Sequence, residues 1–211
     1  MLKRAFDIVA SAVGLIVLAP FLLAIAALIK LASPGPVFYR GERIGRGGKP
    51  FRIFKFRTMV QDAERIGPVS ATASDSRITR VGGFLRKYKL DECPQLLDVL
   101  RGAMSLVGPR PEVAKYVDMY TEEEQAILTV RPGITDWASI RHCHQGELMK
   151  GSEDADRFFE EKIRKTKVRL QLVYVRNHSL WVDLKILVYT FVRILNGRWL
   201  PPEIAQYGEL E

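Results

Sequence analysis

IVASAVGLIVLAPFLLAIAALI, residues 8–29, is a run of 22 residues without a charge. As one helix rising about 1.5 Å per residue it would extend about 33 Å, enough to cross a hydrocarbon core about 30 Å thick. Two features speak against a simple crossing. Pro20 lies near the middle, where a missing N–H and a ring clash break or kink a helix. Basic residues also stand on both sides, Lys3 and Arg4 before the run and Lys30, Arg40 and Arg43 after it. Cationic flanks stay on the cytoplasmic face, so both ends are expected there. The expectation is a re-entrant membrane helix over residues 1–32, broken at Pro20, that dips into one leaflet and returns. A single cytoplasmic domain over residues 33–211 follows it. A plain transmembrane helix with a tolerated proline is the alternative. A cleaved signal peptide is disfavoured, because the run is too long and Lys30 stands where small residues would mark a cleavage site.

Working outward, the chain of 211 residues is long enough for one domain with a real core and short for two. The first 60 residues hold ten Lys or Arg against Asp7 and Glu42, so this segment carries the whole formal excess of +8. The other 151 residues balance, 22 against 22. Such asymmetry points to an anionic partner near the N-terminal side: phosphate, lipid headgroup or nucleic acid. Two cysteines, Cys93 and Cys143, make no disulfide framework.

The rest of the chain reads as mainly α with a small β hairpin, α+β at most. Val37–Tyr39 and Phe51–Phe56 are β-type runs around the glycine-rich, basic loop GERIGRGGK. Residues 61–76 read as a polar loop. Helices are expected over Thr79–Lys89, over Pro94–Leu100 with Pro94 in the first turn and Gly102 as the stop, over Glu112–Val130, and over Asp154–Val175. SLVGPRPE, residues 105–112, is read as a loop. Leu180–Leu195 is apolar on much of its circumference, so it is either core or an amphipathic helix lying in the membrane interface.

Asp91 and Glu92 adjoin in KLDECPQLLDVL, residues 89–100, at the start of a helix. A carboxylate there meets the positive helix end and should stay ionised, which suits a nucleophile or a metal ligand and equally an ordinary cap. Around it stand phosphate-type donors: Lys55 and Arg57 in KFRTM, Arg77 in DSRIT, Arg86 in FLRK and Arg110 in VGPRPE. Other signals fail. The run ending Gly48-Lys49 is no P-loop, since Arg43 stands where the first glycine is needed and Pro50 where Ser or Thr should be. His142-Cys143-His144 lacks a second pair at ligand spacing and reads as structural. Asn177-His178-Ser179 is a sequon by pattern only. Trp137, Trp181 and Trp199 read as core or interface residues rather than base-stacking platforms.

Taken in order, these motifs resemble the monotopic polyprenyl-phosphate phosphoglycosyl transferases, also called the bacterial sugar transferase family. The matching residues are KRAFD at 3–7, SPGPVFYR at 33–40, RIGRGGKPFRIFKFRTM at 43–59, DSRITRVGGFLRK at 75–87, LDECPQLLDVLRGAMSLVGPRPE at 90–112, RPGIT at 131–135 and YVRNHSLWVDLKIL at 174–187. The resemblance implies an enzyme of the bacterial inner membrane that starts surface glycan assembly. It implies a UDP-sugar and polyprenyl (undecaprenyl) phosphate as partners, membrane lipid around the re-entrant helix, Mg²⁺ as cofactor and no nucleic acid. In the family's mechanism the Asp of an Asp-Glu dyad attacks the β-phosphorus, UMP leaves, and the polyprenyl phosphate takes the sugar phosphate from the Asp. Carried over by position, Asp91 is nucleophile and metal neighbour and Glu92 is acid/base or metal partner. Lys55, Arg57, Arg77, Arg86 and Arg110 hold phosphates, and Arg131, Pro132 and Gly133 lie near the nucleotide.

Departures from the family pattern are Cys93 before the proline, Asp136-Trp137 after RPGIT, Gln171 where Asp is frequent, and Gly41 where Gln is frequent. They bear on which sugar is taken rather than on the reaction class. The oligomeric state stays open, a homodimer included. A rival reading is a membrane-anchored, non-enzymatic protein binding anionic lipid or nucleic acid, which explains the charge but has no use for Asp91 and Glu92. A multi-spanning phosphotransferase is excluded by the single long apolar segment.

Overall fold

The computed structural model describes residues 1–67, 72, 74–152, 154–197 and 199–205. Parts of the loop expected over 61–76 and the end of the domain expected to reach residue 211 lie outside the described residues. The first element, α1 (Leu2–Ala32), contains the whole apolar run. Helical structure continues through Pro20. A proline removes one donor and bends a helix whose other hydrogen bonds hold, so the expected interruption is not a loss of helical conformation.

Both ends of α1 are fastened to the rest of the chain. Near the start, the buried Asp7 accepts from Ser105 Oγ at 2.8 Å and from the Leu106 amide at 3.1 Å. Lys3 Nζ reaches Asp183 at 2.6 Å and the Val107 carbonyl at 3.0 Å. Arg4 forks onto the carbonyls of Val99 and Leu100 at 2.6 and 3.0 Å. Those carbonyls lie in the last turn of a later helix, where a cation complements orphan acceptors. Near the other end Ile25 and Ile29 are buried against Phe56 and Leu85. Between these anchors Val13, Ile16 and Val17 are exposed.

The hairpin is an antiparallel ladder in two parts. β1 (Phe38–Tyr39) pairs with β4 (Lys55–Phe56), and β2 (Glu42–Ile44) pairs with β3 (Pro50–Arg52). The glycine-rich stretch thus supplies strand β2 as well as the turn. That turn needs its glycines, because Gly47 and Gly48 both have positive φ, 68° and 73°. Helix α2 (Arg80–Lys87) is capped by Thr79, whose hydroxyl accepts from the Gly82 amide. A 3₁₀ turn, Leu90–Gln95, runs into α3 (Leu96–Arg101), and Gly102 stops it with φ 84°. Pro94 therefore lies inside the 3₁₀ turn rather than opening the helix.

Two expectations change beyond this point. SLVGPRPE is not all loop, since β5 (Ser105–Val107) forms a parallel pair with β6 (Gly133–Thr135). The helix expected over Glu112–Val130 is α4 (Ala114–Val117), a turn, and a 3₁₀ segment Glu124–Thr129. The reason is local: Thr121 and Glu124 exchange backbone-to-side-chain hydrogen bonds in a capping box that starts a new helical segment. Short helices follow, α5 (Trp137–Arg141), α6 (Gln145–Leu148) and α7 (Ala155–Phe158). A π turn over Phe159–Ile163 leads into α8 (Arg164–Asn177), with α9 (Leu180–Leu195) and α10 (Pro202–Ala205) after it.

The main core gathers Val99, Met104, Val107, Ile140, Leu170 and Ile186 with Trp137 and Tyr174. Helix α9 fits both readings of its sequence. Asp183, Ile186 and Arg193 are buried, while Trp181, Leu184, Val188, Phe191 and Leu195 form an exposed apolar stripe at intervals of three and four residues. Trp137 is core, as expected of it.

Candidate active site

Lys89 turns the chain sharply after α2, with φ 57°, and the 3₁₀ turn that follows carries Asp91 and Glu92. Both are buried, at 7% and 8% exposure. Their surroundings differ. Glu92 is clamped: Oε1 accepts from Lys55 Nζ at 2.9 Å and also from Arg110 Nη2, and Oε2 accepts from Arg110 Nη1 at 3.0 Å. Burial alone would raise its pKa, but the Arg110 guanidinium and the Lys55 ammonium outweigh that and hold it well below the usual carboxylate range. Asp91 has no such clamp, and its Oδ1 is buried with no hydrogen-bond partner among the described residues. Burial first, and then the Glu92 charge beside it, push its pKa up, against the pull of Lys55. The helix-end field expected to keep Asp91 ionised is therefore opposed by desolvation. The Cys93 thiol next to the dyad is pushed up to about 11 by burial and by both carboxylates, which keeps it protonated.

The basic residues divide into two groups. Lys55, Arg86 and Arg110 share the electrostatic field of the dyad. Arg86 donates through Nε to Thr58 Oγ1 at 2.8 Å. The other two have structural partners. Arg57 donates to the carbonyls of Ser33 and Pro34 and to Ser33 Oγ, closing the C-terminal end of α1. Arg77 holds Asp75 through Nε and Nη2 and reaches the Ala63 carbonyl at 2.8 Å.

Arg131, Pro132 and Gly133 buttress the loop that carries Arg110. Arg131 Nε donates to Gly102 O at 3.0 Å, Pro132 O accepts from the Ser105 amide at 2.8 Å, and Gly133 N donates to Pro109 O at 2.9 Å. A Cβ on Gly133 would fall 2.0 Å from the Gly108 nitrogen, so only glycine permits this approach. Three residues that sequence reasoning gave no such role complete the support. Asp136 accepts from the Arg110 amide at 3.3 Å while capping α5 through Ser139, and Gln171 donates to the Arg110 carbonyl at 3.3 Å. Lys167 pairs with Glu112 two residues further on. Their departures from the family pattern flagged Asp136 and Gln171, but no local signal tied them to Arg110.

Arg43, Ile53, Lys55, Gln95, Arg110 and Pro111 bound a small open cleft at this centre. Its cations suit a phosphate-bearing ligand. No cluster of three or more His, Cys, Asp or Glu is present among the described residues. Mg²⁺, however, binds through one or two carboxylates, with waters and substrate phosphates completing its shell. The unpartnered Oδ1 of Asp91 meets that need, whereas both oxygens of Glu92 are engaged.

The model of the Bacterial sugar transferase family matches residues 1–197. Among curated relatives, the UDP-N-acetylgalactosamine-undecaprenyl-phosphate N-acetylgalactosaminephosphotransferase of Aeromonas hydrophila is 41% identical over 199 residues, which are 93% of this chain and 44% of the relative. The UDP-glucose:undecaprenyl-phosphate glucose-1-phosphate transferase of Escherichia coli strain K12 is 41% identical, covering 90% of this chain and 39% of its own length. The chain thus spans less than half the length of these two relatives. A transferase of the same name from Caulobacter vibrioides is 41% identical over 92% of this chain and 69% of its own length. By the match over residues 1–197 and this identity to relatives along nearly its whole length, the chain belongs to the bacterial sugar transferase family.

Proposed function

We propose that this protein transfers a sugar 1-phosphate from a UDP-sugar to membrane polyprenyl phosphate. The observation that carries the reading is the buried dyad, in which one carboxylate is clamped by two cations and the other keeps an unpartnered oxygen. Relatives named as undecaprenyl-phosphate sugar phosphotransferases support the same reaction class.

In this reading Asp91 attacks the β-phosphorus of the UDP-sugar. A bond forms from the carboxylate oxygen to phosphorus, the bond from that phosphorus to the bridging oxygen breaks, and UMP leaves with the electron pair. An oxygen of the polyprenyl phosphate then attacks the same phosphorus and releases Asp91, giving polyprenyl-diphosphate-sugar. Glu92 holds Lys55 and Arg110 at the cleft, where they offset charge on the phosphate oxygens. Arg86 supplies a further cation beside the dyad. Asp91, with Glu92 at its side, would hold Mg²⁺, which when bound neutralises phosphate charge.

The same reading makes the protein monotopic. α1 is fastened to one domain at Lys3–Asp7 and again at Ile25–Ile29. A helix that crossed the bilayer would carry one of those ends away to the far side. The basic flanks favour the cytoplasmic face for both ends, and the exposed stripe of α9 suits the membrane interface.

The test is UMP release. Detergent-solubilised protein is given a panel of UDP-sugars and Mg²⁺, with and without undecaprenyl phosphate, and acid-quenched samples are digested for mass spectrometry. Expected are lipid-dependent turnover with one sugar and a peptide containing Asp91 heavier by one sugar phosphate. Absence of UMP with every UDP-sugar overturns the reaction.

A further inference from the structure

Gln95 is buried, at 1% exposure, and its Nε2 is buried without a hydrogen-bond partner among the described residues. It shares the cleft wall with Arg43, Lys55 and Arg110. A buried amide donor left unmet costs the free protein stability that an apolar side chain of similar size would not. The cleft offers it no side-chain acceptor, since the other polar side chains lining it, Arg43, Lys55 and Arg110, are cations. An anionic ligand entering between those cations would bring the acceptor that Gln95 lacks.

We propose that Gln95 Nε2 donates a hydrogen bond to a phosphoryl oxygen of the substrate in this cleft, so that a neutral, directional donor orients a group which the flanking cations only attract. The assignment rests on the phosphoglycosyl transfer reading above. The phosphoryl oxygen can belong to the diphosphate of the UDP-sugar or to the polyprenyl phosphate, and the two half-reactions separate these sources. A donor to the UDP-sugar acts in the first half, when UMP leaves. A donor to the lipid phosphate acts in the second.

The experiment compares wild type with Gln95→Leu and Gln95→Met, both apolar and of similar size, in full-length protein. It reads the rapid burst of UMP without lipid acceptor, kcat/KM for undecaprenyl phosphate, and the thermal midpoint. The expected result is a loss of about tenfold or more in one of the two rates, with the midpoint unchanged or raised because an unmet donor has been removed. A slowed burst assigns the contact to the UDP-sugar. A normal burst with a lowered kcat/KM for the lipid assigns it to the acceptor. If either variant keeps both rates while the wild type is active, the inference is overturned and the proposed reaction stands. A wild type that releases no UMP overturns both.

Discussion

Two buried groups of polar side chains are finished differently. Around the first turn of α1, Asp7, Ser105, Lys3, Asp183 and Tyr174 bind one another or backbone groups. Lys3 Nζ and Tyr174 Oη both donate to Asp183, and Tyr174 Oη, 2.7 Å from that carboxylate, also lies 3.1 Å from Val107 O. Among the described residues, Ser11 Oγ, one turn on, is the one buried polar atom there without a partner. At the dyad, Asp91 Oδ1 and Gln95 Nε2 are both left unmet, although Glu92 beside them is saturated. A completed network contributes to the folded state and binds nothing further, whereas an incomplete one costs stability until a ligand fills it. The first group holds architecture, and the second is set up for chemistry.

The sharpest test of that contrast is Asp91→Asn. It should lower turnover at least about a thousandfold, since the proposed nucleophile is removed. The thermal midpoint should hold or rise, because a buried carboxylate whose charge is disfavoured becomes a neutral amide. A large fall in the midpoint would make Asp91 architectural. Asp183→Ala should do the reverse. It removes the carboxylate shared by Tyr174 and Lys3 and leaves both only the Val107 carbonyl, and with Lys3 about one-third exposed the cost is near the low end for a buried pair, about 3 kcal/mol. That corresponds to roughly 6–12 °C in a chain of this size, with UMP release per folded molecule kept.

The smallest effect probes an unmet group outside the dyad. Both ring nitrogens of His142 are buried without a hydrogen-bond partner among the described residues, and its pKa is lowered to about 4 by burial, with Lys167 and Arg141 adding to it. Unfolded, the ring titrates near 6.5, so between pH 6.5 and 4 only the unfolded chain takes the proton. Stability from this group is intact above pH 6.5 and is lost as pH falls toward 4, by about 2 kcal/mol after allowing for its partial exposure. His142→Gln should flatten that decline in thermal midpoint against pH. An unchanged slope would remove His142 as its source.

What was legible in the sequence was whatever local physics decides. The apolar run gave α1, the apolar stretch Leu180–Leu195 gave α9, and two short β-type runs around a glycine-rich loop gave the hairpin. The dyad could be read because its two carboxylates adjoin. Arg57 and Arg77 looked like Lys55 and Arg110, because a guanidinium that closes a helix end has the same local sequence as one that meets an anion. The support of Arg110 by Asp136 and Gln171 spans 26 and 61 residues, and no window of sequence contains it. Gln95 drew no notice because a glutamine beside a proline carries no sign of whether its amide will find a partner.

The double fastening of α1 has a mechanical consequence. A membrane segment joined to its domain at one end can act as a hinge, and the domain can tilt to meet a substrate. Here the Asp7 contacts to Ser105 and Leu106 at one end, and the packing of Ile25 and Ile29 on Phe56 and Leu85 at the other, make α1 a keel built into the hull. Under the proposed function, the cleft would then ride at a fixed height above the lipid. Travel along the membrane normal would fall to the proposed lipid acceptor, which would have to bring its phosphate up to a site that does not stoop to collect it.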